Sequence, residues 1–303
     1  MSSPKQKTVL VTGCTTGGAG HALALEFASR GMRVFATARS TTSMKTLEGN
    51  KNIETLALDV TSAESIAALV REISKRTGGS LDILFNNAGS LYQAPCVESD
   101  PAQVRSMFNA NVFGLFDMIS AFTPLLLVSA AANGPSHPPT IINTASILSK
   151  MPYPFSAAYN ASKAAVVSYS DALRIELAPL GIKVVTLYMG VVTTGLYAPV
   201  KFDPEGLYPA VEAGIEKRGQ HNLDTGTSAE GFAKMVVADI VAKPGMGKGE
   251  ALWKGANAFA VWLMSVVAPA SMFTSVAEKG AGMTTEVKKA ISDRGRAAAQ
   301  KKL

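Results

Sequence analysis

The chain has 303 residues, 47% of them hydrophobic and 17% charged, which is ample material for a core and excludes a disordered protein. Its formal charge is +6, but Lys288, Lys289, Arg294, Arg296, Lys301 and Lys302 against Asp293 put most of that excess in the last stretch of chain. The body is therefore close to neutral, and nucleic-acid binding, which needs a cationic folded surface, is excluded. The first apolar β-rich run is Thr8–Thr12, and a glycine-rich turn leads from it into a helical pattern at Ala22–Ser29. Further strands are expected at Arg33–Thr37, Ile53–Leu58, Leu81–Phe85, Thr140–Thr144 and Lys183–Tyr188, with a short one at Ala251–Trp253. Helical patterns separate them at Ala63–Lys75, Pro101–Leu127, Ala157–Leu177 and Ala229–Ala242. Thr61-Ser-Ala-Glu64 reads as a capping box, and Asp100-Pro101 sets proline at a first helical position.

Nearly continuous apolar strands alternating with helices predict an α/β fold with a single doubly wound parallel sheet, about seven strands with helices on both faces. One catalytic domain is expected over 1–254. Residues 255–303 form an apolar helix and basic tail, packed on that domain or on a membrane surface. Gly255 to Ala277 carries no charge, but its convincingly apolar part runs only from Ala258 to Ala268, too short to span a bilayer. Phe259, Trp262, Leu263 and Val266 are expected to be buried on the domain or on a partner subunit, and peripheral membrane contact through 255–303 stays open. The polar N-terminus carries no signal-peptide pattern. Of the two cysteines, Cys14 lies inside the glycine-rich turn, where a disulfide would obstruct a ligand. An intracellular, cytoplasmic location follows, with an endomembrane or lipid-droplet surface open as a peripheral site.

Thr12-Gly-Cys-Thr-Thr-Gly-Gly-Ala-Gly20 follows the first strand directly. There, glycines let the backbone approach a pyrophosphate whose charge meets a helix N-terminus, with Gly13, Thr15, Thr16, Gly18 and Ala19 as contacts. A dinucleotide site for NAD would place an acid at the end of the second strand. Here Ala38 takes that place and Arg39 follows, which suits a 2′-phosphate and hence NADP(H). Asp59 and Val60 end the third strand beside the adenine. Asn87, Ala88 and Gly89 end the fourth beside the adenosine ribose, although turn chemistry alone would also use these residue types.

Tyr159 and Lys163 are four residues apart and share one helix face. An adjacent ammonium favours phenolate and should bring the tyrosine down from ~10 towards a useful range. Ser146 lies at the carboxyl end of the fifth strand, where ligands of such sheets bind. Together with Asn111-Val-Phe-Gly114, these motifs resemble the classical short-chain dehydrogenase/reductase family in order and spacing, over about residues 7–250. The resemblance implies a Rossmann-like fold and a homo-oligomer, dimer or tetramer, with no metal. It implies Tyr159 as proton donor to the developing alkoxide and Ser146 as hydrogen-bond donor to the same oxygen. Lys163 would hold the nicotinamide ribose, and Asn111 would hold a water that relays protons. Val192 and Thr194 fall where the family contacts the carboxamide and pyrophosphate, although the usual Pro-Gly before them is absent. The doubled Gly17-Gly18 and the strand ending in Arg39 resemble fungal-type 1-acyldihydroxyacetone-phosphate reductases and secondary-metabolite reductases. Ser90–Val97, Ile147–Phe155 and Gly195–Thr225 are expected to shape the substrate pocket. The apolar middle segment points to a hydrophobic ketone or aldehyde. The alternatives are non-redox chemistry such as cyclisation or dehydration in a biosynthetic pathway, or an acyldihydroxyacetone-phosphate reductase of lipid synthesis.

Overall fold

The computed structural model describes residues 6–195 and 200–300. Residues 196–199 of the pocket-shaping stretch, and Lys301 and Lys302 of the basic tail, lie outside them. The chain alternates as expected: β1 (Thr8–Thr12), α1 (Ala19–Ser29), β2 (Arg33–Ala38), β3 (Ile53–Ala57), α2 (Ala63–Thr77), β4 (Ile83–Asn86), α3 (Pro101–Phe108), α4 (Gly114–Asn133), β5 (Thr140–Ser146), α5 (Ala157–Leu177) and β6 (Lys183–Met189). It continues through β7 (Val192–Thr193), α6 (Glu212–Thr225), β8 (Thr227–Ser228), α7 (Ala229–Ala242), β9 (Ala251–Lys254), α8 (Ala258–Val267), α9 (Ala270–Gly280) and α10 (Thr285–Gln300). Seven strands form one parallel sheet in the order β3-β2-β1-β4-β5-β6-β9. The chain reverses its direction of winding between β1 and β4, and ligands of such sheets bind at that crevice, outside the carboxyl ends.

Each sheet face buries its own apolar layer. Leu23 and Phe27 of α1 and Phe232 and Val236 of α7 cover one face, with Phe27 edge-on to Phe85 at 6.1 Å. Leu69, Phe122 and Val166, from α2, α4 and α5, cover the other. At the sheet edge Trp253 stacks on Tyr188, ring centres 4.0 Å apart. Two helix starts differ from expectation. Helix α1 begins at Ala19 rather than Ala22. The cap of α2 is Ser62, whose hydroxyl accepts from the Ser65 amide, while Thr61 is drawn instead to the Asp59 carboxylate. The run Pro101–Leu127 continues to Asn133 and holds a π-helical turn at Asn109–Phe113. Gly114 follows that turn because a Cβ there would stand 2.6 Å from the Val60 carbonyl oxygen.

The C-terminal apolar stretch is two helices broken at Ala268–Pro269, not one. Ala258, Val261 and Phe273 pack on Ile147. The domain does not cover the other side of α8: Phe259, Trp262, Leu263 and Val266 stay exposed in the single chain, Phe259 at 69% and Val266 at 66%, and their burial on a partner subunit stands as an expectation. The reason is geometric. The domain receives the stripe Ala258–Val261, and positions 259, 262, 263 and 266 share the opposite side of the helix. Among the described residues, one helical run, 101–133, is long and apolar enough to cross a membrane, and half of its most apolar part is buried inside the protein.

Candidate active site

The carboxyl ends of the strands open onto a cleft of about 650 Å³. At one end, Gly13 turns the chain out of β1 with φ +75°, and a Cβ there would lie 2.9 Å from Ala88 Cα. Thr12 and Asn87 lock this turn. The Thr12 hydroxyl accepts from the Asn87 and Ala88 amides at 3.0 and 2.9 Å, and Asn87 Nδ2 donates to the Thr12 carbonyl at 2.9 Å. Thr15, Thr16, Gly18 and Ala19 line the cleft above them. Thr16 donates to the Ser43 carbonyl at 2.9 Å. Helix α1 starts at Gly18 with no side-chain cap and no acid in its first turn, so its leading amides form an electropositive end facing the cleft. Cys14 turns away into the core, where burial pushes its thiol up to about 12. Cys14 and Cys96 are both free thiols, the first buried and the second exposed.

Arg39, Asp59, Val60, Asn87, Ala88 and Gly89 line the next part of the cleft. The Asp59 carboxyl is held below its ordinary value, first by the Thr61 hydroxyl and amide, which it accepts at 2.7 and 2.9 Å, and in part by the Arg39 charge. An uncapped helix end beside an arginine, with no acid closing β2, is a donor set that fits a phosphorylated dinucleotide. Farther along, Thr144 lines the cleft with Tyr159 and Lys163, and its hydroxyl is buried with no hydrogen-bond partner among the described residues.

Ser146 ends β5 and Tyr159 lies in the first turn of α5, and both line the second chamber. Burial dominates the tyrosine: it pushes the phenol up to about 12, against the smaller opposite effect of Ser146. Burial also pulls Lys163 down to about 8. The expected lowering of Tyr159 by its neighbour is thus not present, because Lys163 Nζ donates to the Thr144 carbonyl at 2.8 Å and stands 5.8 Å from the phenol ring centre. Asn111, in the π-helical turn, braces the site from behind. Its Oδ1 accepts from the Ser90 amide at 2.7 Å, and its Nδ2 donates to the Ser90 carbonyl and the Ser162 hydroxyl. Ser162, Thr12 and Thr144 were not singled out from the sequence; their signal is a polar residue at an otherwise apolar strand end or helix face.

A second chamber of about 470 Å³ adjoins the cleft, with Ser146, Ile147, Leu148 and Met151 on one wall and Tyr159 and Thr194 shared between both cavities. Val192 opens on this second chamber rather than on the cleft. Where the family usually has Pro-Gly, Met189-Gly190 is fixed by backbone pairing instead. Gly190 N donates to the Lys254 carbonyl at 2.7 Å, and Val191 and Ala256 exchange bonds of 2.9 and 3.2 Å. The family model described as short chain dehydrogenase matches residues 7–204. The chain belongs to the short-chain dehydrogenase family. A short-chain dehydrogenase of Penicillium crustosum is 37% identical over 87% of this chain and 94% of its own length. The NADPH-dependent 1-acyldihydroxyacetone phosphate reductase of Schizosaccharomyces pombe is 43% identical over 62% of this chain and 61% of its own. A solved short-chain dehydrogenase of Streptomyces avermitilis superposes with a TM-score of 0.73 at 26% identity, covering 91% of this chain and 99% of that one. This short-chain dehydrogenase therefore shares the fold and motif order of oxidoreductases, and its two cavities meet at Tyr159.

Proposed function

We propose that the protein reduces a ketone or aldehyde on a hydrophobic small molecule to the alcohol with NADPH, or runs the reverse reaction. The observation that carries this reading is the position of Tyr159, on the seam between a phosphate-suited cleft and a largely apolar chamber that Ser146 also lines. Arg39 would meet the 2′-phosphate and the α1 N-terminus the pyrophosphate, and the name of the Schizosaccharomyces pombe relative supports the same cofactor. When bound, the cofactor supplies the hydride that adds to the carbonyl carbon. The protein's task is then the proton. A phenol held up to about 12 keeps its proton at neutral pH and releases it only as charge builds on the carbonyl oxygen 3 Å or so away. Ser146 would donate to the same oxygen, and Lys163, cationic below about 8, would hold the ribose end of the cofactor. The relay water assigned to Asn111 would sit where that residue braces Ser90 against Ser162. The test is direct: NADPH absorbance should fall when purified protein meets a panel of hydrophobic ketones and aldehydes. No oxidation of NADPH and no reverse reaction across the panel, with the cofactor bound, would overturn the reading.

A further inference from the structure

The second chamber is not apolar throughout. Opposite Ile147, Leu148 and Met151 runs α6, whose residues 215, 218, 219 and 222 share one helical face and line the cavity. Two of them are polar, Arg218 and Asn222. Both grip Tyr153: the guanidinium lies flat on its ring, 3.5 Å from the centre, and Asn222 Nδ2 donates to its hydroxyl at 3.2 Å. Arg218 Nη2 also donates to the Pro154 carbonyl at 3.4 Å. The arginine is thus half-buried and fixed in direction before any ligand arrives. Among the described residues that line this chamber there is no aspartate or glutamate; Glu216 and Asp224 of the same helix are exposed and line neither cavity.

An oriented guanidinium in a chamber whose other lining side chains include no carboxylate binds a planar or tetrahedral oxyanion far better than a neutral group. The hydrogen bonds are charge-assisted, and their geometry is set in advance. We infer that Arg218 is a specificity-determining residue that anchors a carboxylate or phosphate ester carried by the substrate, while the Ile147–Met151 wall takes its apolar body. The inference rests on the carbonyl-reductase reading for where the reacting carbonyl lies, and adds that the substrate is an anionic amphiphile rather than a neutral hydrocarbon ketone.

The test uses matched pairs: medium-chain keto acids and their methyl esters, and keto-alcohol phosphates and the parent keto alcohols, each with the carbonyl at a series of distances from the anion. For at least one spacing the anion should be reduced with about tenfold or higher kcat/KM than its neutral partner, and whichever anion shows it identifies the group. Arg218→Met should abolish that preference while leaving the neutral partners nearly unchanged, and Arg218→Lys should keep part of it. No anion preference at any spacing overturns the anchor. So does an equal loss of anionic and neutral turnover in Arg218→Met, which would confine Arg218 to holding Tyr153. Calorimetry with the corresponding hydroxy acids and hydroxy phosphates separates the two claims. If they bind in an Arg218-dependent way but nothing is reduced, the anchor stands and carbonyl reduction falls; if they do not bind, the anchor falls.

Discussion

Lys163 gives its ammonium to the Thr144 carbonyl at 2.8 Å, although Tyr159 lies one turn away on the same helix. The pair expected to act as ammonium and phenolate is instead a buried cation tied to a strand and a buried, protonated phenol.

Tyr159→Phe removes that proton and keeps the ring and its packing. NADPH should still bind, measured by fluorescence titration, while reduction falls by about a hundredfold or more. Near-normal turnover by this variant would sink the assignment of Tyr159.

Arg39→Ala should weaken NADPH about tenfold or more and leave NADH nearly as before, since a charge-assisted bond to the 2′-phosphate is worth roughly 1.5–3 kcal/mol. Equal weakening of both cofactors would show that another group discriminates between them.

Lys163→Met should raise stability while ending turnover. The unfolded chain holds this proton up to about 10.5 and the folded chain only to about 8, so between those values the unfolded state binds more protons. Burying the charge therefore destabilises the fold at neutral pH, by about 3 kcal/mol at most, and the penalty fades as pH rises from 8 to 10.5. The lost charge-assisted bond to Thr144 offsets roughly 1.5–3 kcal/mol of the gain, leaving a small net stabilisation. A melting temperature a few degrees above the parent at pH 7, converging with it towards pH 10.5, is expected. A lower value at pH 7 would show that the Thr144 bond outweighs desolvation.

Truncation after Lys254 should damage the folded protein. It strips Val261 and Phe273 from Ile147 and removes Ala281 from beside Val211 and Ile215. Each large apolar side chain so uncovered costs about 1.5–3 kcal/mol. A lower melting temperature and loss of activity are expected in detergent-free buffer. An equally stable, active truncate that has lost only liposome binding would make the segment a membrane anchor instead.

The parallel sheet was legible because its strands are buried on both faces and so read as unbroken apolar runs; Ala157–Leu177 and Ala229–Ala242 have the bounds expected of them. The cleft was legible because its residues follow strand ends in order. Helix α6 was not. It is polar, and it carries Gly214 where a Cβ would stand 2.7 Å from the Ala281 carbonyl oxygen, a demand set by a segment far along the chain. Nor does a single sequence report desolvation. The four-residue spacing of Tyr159 and Lys163 predicts their proximity, but only the fold shows that Thr144 captures the ammonium.

The family pattern ends at residue 204, and the cleft residues from Gly13 to Gly195 all precede that point. The walls that Ile215, Arg218, Asn222, Asn257, Val276 and Gly280 give to the second chamber all follow it. The chamber that would receive the substrate is therefore built from both lengths of the chain, Ile147, Leu148 and Met151 before that point and Ile215, Arg218 and Asn222 after it. Exchanging the segment from 205 onward between two members of the family would replace one wall of the chamber and leave the Ile147–Met151 wall and the cleft residues up to Gly195 in place.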